Sequence, residues 1–75
     1  VIARAETREY RAAYTRGWSY SQRETATLDH VDSQYGRDPR YNAILDGYLD
    51  AAAGREKYHM LQCSLGKIEC SEHDW

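Results

Sequence analysis

Asp38-Pro39-Arg40-Tyr41-Asn42-Ala43-Ile44-Leu45-Asp46-Gly47-Tyr48-Leu49-Asp50-Ala51-Ala52 is the stretch that decides the fold. Just ahead of it Gly36 can end one helix, Asp38 can cap the next, and Pro39 falls at a first helical position, where its missing N–H costs nothing. A helix is therefore expected to begin at Pro39. Tyr41, Ile44, Leu45, Tyr48, Leu49 and Ala52 then recur at i, i+3, i+4, i+7, i+8 and i+11, one apolar face at the α-helical period. This helix is expected to carry the core. Beyond it Gly54 ends or interrupts the pattern, but Arg55 to Gln62 again favours helix, so continuation with a bend is expected.

Upstream, residues 2–16 hold strong helix formers and neither Gly nor Pro, and Ile2, Ala3, Tyr10, Ala13, Tyr14 and Gly17 gather on one face. On the far side Arg4, Arg8 and Arg11 stack at i, i+4 and i+7 as a basic stripe. Gly17 offers a left-handed terminus, and Ser21-x-x-Glu24 has capping-box spacing for a restart; otherwise one longer helix runs on toward Leu28. Residues 22–35 form a weaker helix, with an apolar edge of only Leu28, Val31 and Tyr35. From Cys63 onward Ser64, Gly66, Ser71 and Asp74 predict a turn and a loosely structured tail, with Leu65 and Ile68 able to pair as a short hairpin around Gly66-Lys67. The expected fold is all-α: a small antiparallel helical hairpin or three-helix domain, with residues 1–62 as the helical body and 63–75 as turn or hairpin and tail. Its core is expected to comprise Tyr14, Leu28, Val31, Ile44, Leu45, Tyr48 and Leu49.

Composition limits what such a domain can do. The 75 residues carry 10 basic and 12 acidic side chains, a net charge of −2, which is no field for gripping nucleic acid by charge alone. Leu, Ile and Val number only ten and Phe is absent, so seven Tyr and two Trp must make up the apolar volume. A core this small is marginal without a staple or a partner. Charge is uneven, with +3 over residues 1–23, −4 over 24–53 and −1 over 54–75, which suits antiparallel packing of the first helix on the acidic middle. No apolar run approaches the length of a membrane span, and the first residues lack the apolar core of a secretory signal. Cys63 and Cys70 are too few for a secreted disulfide scaffold, so a soluble protein of the reducing cytoplasm is expected.

Two constellations carry chemistry. His59-x3-Cys63-x6-Cys70-x2-His73 sets two thiols and two imidazoles within fifteen residues, a set that zinc would accept as a tetrahedral staple. The spacing matches no established zinc module, and buried free thiols or a local Cys63–Cys70 disulfide are the competing readings. No other cofactor is called for. Nucleophilic catalysis would need Cys63 or a serine beside a histidine and an orienting carboxylate; His30, between Asp29 and Asp32, reads instead as a solvated imidazole. No enzymatic activity is expected.

Binding is the better-supported class. Arg4, Arg8 and Arg11, with Arg16 nearby, can meet phosphates, while Trp18 or Tyr20 can stack on a base. Tyr, Trp and Arg are also the side chains that dominate protein interfaces. Some of Tyr10, Trp18, Tyr20, Tyr35, Tyr41, Tyr58 and Trp75 should therefore lie at a contact, whereas Tyr14, Tyr41 and Tyr48 are expected to fill the core in place of Phe.

Gly17-Trp18 and Gly47-Tyr48, with Pro39 and Tyr41 between them, resemble the small ribosome modulation factor proteins and their phage-encoded relatives. The resemblance covers about residues 13–54 and implies two helices paired through Gly-aromatic motifs that bind ribosomal RNA or proteins without catalysis. In this chain the motifs lie further apart, Pro39 and Tyr41 are not adjacent, and the net charge is negative where that family is basic. The expected function is thus that of a non-enzymatic small protein, an inhibitor or adaptor of the phage or bacterial accessory type. It would grip a larger protein or ribonucleoprotein through Arg4, Arg8, Arg11, Arg16, Trp18, Tyr20, Tyr35 and Tyr58. An RNA-associated regulator using the basic helix face is the alternative, as is a zinc-stapled module. A homodimer through Tyr41, Leu45 and Leu49 is a further expectation.

Overall fold

The computed structural model describes residues 2–68. Thr7 decides where the first helix starts. Its backbone is extended and its hydroxyl accepts the Tyr10 amide at 3.1 Å, so α1 runs over Arg8–Ser21. The expected start near residue 2 is too early, because helix propensity alone does not satisfy the orphan amides of a first turn and the Thr7 hydroxyl does. Gly17 is carried inside α1 and does not end it. The next helix, α2 over Leu28–Tyr35, is capped in the same way, with the Thr27 hydroxyl accepting the His30 amide at 3.1 Å. The Ser21-x-x-Glu24 restart is accordingly unused, and residues 22–25 form turns that lead into the extended Thr27.

The Asp38 carboxylate accepts the Arg40 amide at 2.8 Å and leads into α3, Tyr41–Ala52, two residues later than Pro39 promised. Gly54 closes α3 in the left-handed conformation (φ 71°): its amide donates to the Ala51 carbonyl at 3.1 Å, and the Arg55 amide donates to Asp50 at 2.9 Å. These bonds satisfy the last carbonyls of α3, so the expected continuation fails and a separate α4, His59–Ser64, follows. Gly66 (φ 75°) closes α4 by the same pair of bonds, from the Gly66 amide to Cys63 and the Lys67 amide to Gln62. This turn takes the place of the expected hairpin, and no strand occurs among the described residues. The fold is a small all-α domain with four helices among the described residues.

α1 packs chiefly on α3, which α2 and α4 also touch. The crossing sits on two glycines. Gly17 lies against the backbone of Ile44 and Tyr48, and Gly47 against the backbone of Tyr14 and Trp18, an approach that a Cβ at either position would block. This contact also aims α3. Ala43, Ile44, Asp46, Gly47, Tyr48 and Asp50 are buried, whereas Tyr41, Leu45 and Leu49 are half-buried and Ala52 is exposed. At 100° per residue the buried face centres on Gly47, rotated by about 130° from the centre of the apolar periodicity. The helix was legible and its inward side was not, because close backbone approach needs the side with the smallest residues. Leu28, expected in the core, is 46% exposed, while Val31 one turn on is fully buried.

Candidate interaction surface

Beneath the surface lies a ladder of tyrosines and carboxylates. Tyr10 and Tyr14 are four residues apart on α1, as Asp46 and Asp50 are on α3, and all four are buried. The Tyr10 phenol donates to Asp46 at 2.7 Å, and the Tyr14 phenol donates to Asp50 at 2.6 Å. Arg4 completes the first rung with a fork onto Asp46 at 2.7 and 3.0 Å. Asp50 also accepts from Arg55 Nε at 2.9 Å and from the Met60 amide at 3.0 Å, which ties α4 to α3. Charged acceptors surrounded by donors are tolerated in a core where unpaired ones are not. Burial, reinforced by the carboxylate that each phenol bonds, pushes both tyrosines well above the ordinary phenol range. The hydrogen bond to Asp46 holds Arg4 more firmly protonated than a free guanidinium.

Tyr14 carries this ladder out to the surface. Its ring lies 4.4 Å from that of Tyr58 and 6.1 Å from that of Trp18, and its phenol oxygen accepts the Tyr58 amide at 2.6 Å. Tyr58 is the one non-glycine at positive φ (66°) among the described residues, a left-handed backbone that the hydrogen bond to Tyr14 holds in place. Arg11 and Lys57 lean over the Tyr58 ring, with Arg11 Cζ at 5.2 Å and Lys57 Nζ at 5.6 Å from its centroid. Thr15 Oγ1 is 3.5 Å from the Tyr58 phenol oxygen. Arg11, Thr15 and Trp18 share one edge of α1 at i, i+4 and i+7, and exposed Arg8 continues that edge. The result is a surface of Arg8, Arg11, Thr15, Trp18, Lys57 and Tyr58 with its aromatic members seated on a buried tyrosine.

The expected site residues divide accordingly. Arg8, Arg11, Trp18 and Tyr58 come together here. Arg4 does not: it precedes α1, and its guanidinium is committed to Asp46, so the basic stripe loses its first member. Arg16 is exposed on the other edge of α1, close enough to Asp38 to help hold that carboxyl at about 2, an effect due chiefly to the hydrogen bond from Arg40. Tyr20 is buried, stacked on His30 at 5.6 Å and tilted against Tyr48 at 6.0 Å, so it is a core side chain and offers no free ring. Tyr35 is half-buried against the core on α2, and Tyr10, expected among the candidates for exposure, is fully buried. Tyr14 and Tyr48 fill the core as expected; Tyr41 is half-buried, with its phenol donating to Asp32.

Sequence reasoning missed Lys57 and Thr15, because the turn after Gly54 that brings Tyr58 to α1 leaves no periodic trace. In the zinc set, Cys63 is disulfide-bonded, so its sulfur is not the thiolate that zinc takes. Cys70 and His73 lie outside the described residues, and no group of three or more His, Cys, Asp or Glu gathers as a metal site among the described ones. Among the described residues no helix is long and apolar enough to cross a membrane. No family model, curated protein or solved structure matches the chain.

Proposed function

We propose that this chain is a non-enzymatic binding protein that engages a larger protein through Arg8, Arg11, Trp18, Lys57 and Tyr58, acting as an inhibitor or adaptor of the phage or bacterial accessory type. The observation that carries the reading is the seating of half-buried Trp18 and Tyr58 on fully buried Tyr14. Aromatic rings anchored from beneath lose little freedom on binding, and rings of this kind beside an arginine make up the hot spots of protein interfaces. Immobilised protein incubated with cell lysate tests it. A protein partner is expected to be retained after nuclease treatment and lost with Trp18→Ala or Arg11→Ala; retention that survives both substitutions would overturn the reading.

A ribosome- or RNA-associated regulator is the second reading. It is favoured by the reciprocal seating of Gly17 and Gly47, the helix pairing that the resemblance to the ribosome modulation factor family implies. Withdrawal of Arg4 from the basic stripe weakens it. A captured signal that vanishes with nuclease would install it in place of the first. Self-association through Tyr41, Leu45, Leu49 and exposed Leu28 is a third version, which a constant monomer mass on dilution removes. The cytoplasmic setting expected from the cysteine count sits poorly with a disulfide at Cys63, since thiols there stay reduced. Because Cys63 is buried, acid quenching of cells followed by maleimide labelling of the denatured chain reads this directly: labelled Cys63 supports a cytoplasmic location and unlabelled Cys63 an oxidising one.

A further inference from the structure

Two cations converge on one tyrosine. Arg11 and Lys57 both lie over Tyr58, and among the described residues the only ion pair to either is the long contact, 3.9 Å, from Arg11 to Glu6. Glu6 itself is engaged more closely by Lys67, at 2.8 Å, and that lysine holds its carboxyl below the usual range. Arg8, one turn before Arg11, is exposed and has no carboxylate partner among the described residues. Positive charge is thus concentrated at a place the fold has fixed, since the Tyr58 backbone is held left-handed by Tyr14 and Tyr14 is held by Asp50. With Tyr14 packed against it and two cations over it, the Tyr58 ring is not an open platform for a nucleobase. A guanidinium stacked on a ring keeps its planar fork ready for a carboxylate, and an ammonium beside it adds a point charge.

Resting on the binding reading above, we propose that Arg8, Arg11 and Lys57 receive an acidic segment of the partner protein, with Trp18 beside them covering an apolar side chain of that segment. Glu6 is the internal competitor, a carboxylate of the same chain already close to Arg11. Tyr14 acts as a positioning residue through Tyr58.

The test is titration of the isotope-labelled full chain with the end-blocked peptide Glu-Glu-Leu-Glu-Glu, followed by NMR. Shifts are expected to concentrate at the Arg11 Nε–H, the Lys57 and Tyr58 amides and the Trp18 indole, with Arg16, Arg23 and Arg37, exposed cations elsewhere, as internal references. They should fade between about 50 and 500 mM salt. Glu6→Gln should tighten binding by about twofold to fivefold, and Arg11→Lys should weaken it by a similar factor with the helix signal unchanged. Lys-Lys-Leu-Lys-Lys should produce no such pattern. Shifts shared equally with Arg16, Arg23 and Arg37, no shifts at all, or stronger shifts at Arg11 and Trp18 from oligouridylate would each overturn the proposal. If a lysate partner is still lost with Trp18→Ala while the acidic peptide leaves Arg11 untouched, the acidic chemistry fails and the binding reading stands; if neither is seen, both fail.

Discussion

Replacing Gly17 with alanine sets two effects of opposite sign against each other. In a helix interior alanine is favoured over glycine by about 1 kcal/mol, so propensity alone predicts a more stable protein. At the crossing, however, the new Cβ would lie 2.7 Å from the Ile44 carbonyl carbon, nearer still to its oxygen, and 3.0 Å from the Tyr48 nitrogen, where 3.4–4 Å is ordinary contact. These are backbone atoms in the middle of α3 and cannot rotate aside, so the helices must part by on the order of 1 Å. Overpacking of this kind costs about 1–3 kcal/mol. The same separation stretches the bonds from Tyr10 to Asp46 and from Tyr14 to Asp50, now 2.7 and 2.6 Å, and a bond to an ionised acceptor contributes about 1.5–3 kcal/mol. Partial loss of those bonds plus the clash outweighs the propensity gain, leaving a net destabilisation of about 2–4 kcal/mol. That is a large part of the roughly 4–11 kcal/mol typical for 75 residues. Urea denaturation followed by circular dichroism should show a lower midpoint with an unchanged slope, and Ala12→Gly on the exposed side of α1 gives the cost of propensity alone. Gly47→Ala should behave like Gly17→Ala, because its Cβ would meet the Trp18 nitrogen at 2.8 Å, and the double variant should cost less than the sum, since parted helices admit the second methyl. A Gly17→Ala protein as stable as the parent, or more so, would refute the reasoning.

Other expectations follow from the ladder. Asp50→Leu strands the Tyr14 phenol, Arg55 and the Met60 amide together, and should cost about 3 kcal/mol or more in the same urea assay; equal stability would show that these bonds contribute nothing net. Arg4→Ala leaves Asp46 with Tyr10 as its bonded side chain and should destabilise by about 2 kcal/mol, reduced from a fully buried pair because Arg4 is 34% exposed, whereas Arg8→Ala should stay within about 0.5 kcal/mol. The reverse ranking would restore the basic stripe. Tyr10 and Tyr14 are held protonated in the fold, so their contribution is intact below the ordinary phenol value of 10 and is lost as pH rises beyond it, because the unfolded chain ionises first. The loss should approach about 1.4 kcal/mol per pH unit for each phenol. Tyrosinate absorbance of these two should then rise together with the loss of helix signal, and titration of all seven tyrosines near pH 10 with the helices intact would contradict it.

Local chemistry explains what could be read from the chain. Gly36, Asp38 and Pro39 announce a helix start whichever way the rest folds, since capping and a fixed φ act within a few residues. Gly54 and Gly66 offer the left-handed turns that end α3 and α4, although at Gly54 the helix-forming residues beyond it argued for continuation. Thr7 and Thr27 are caps of the same local kind, and they start both helices later than propensity alone predicts, because their hydroxyls satisfy first-turn amides. Burial was harder to read. Leu45 and Leu49 look more apolar than Asp46 and Asp50, yet they are half-buried and the aspartates are enclosed. Nothing in the neighbourhood of Asp46 reveals that a phenol 36 residues away and a guanidinium 42 residues away will meet it.

By itself, then, the order of residues determined that this protein is helical and roughly where its helices lie, because caps, turns and periodicity draw on contacts a turn or two apart. Only the tertiary structure decided which side of each helix points inward, that Arg4 is committed to Asp46 and Tyr20 to the core, and that Arg11, Trp18, Lys57 and Tyr58 share a surface. The physical reason is the crossing at Gly17 and Gly47: backbone contact there fixes the rotation of α1 against α3, and the pairing of Tyr10 with Asp46 and of Tyr14 with Asp50 follows from that rotation.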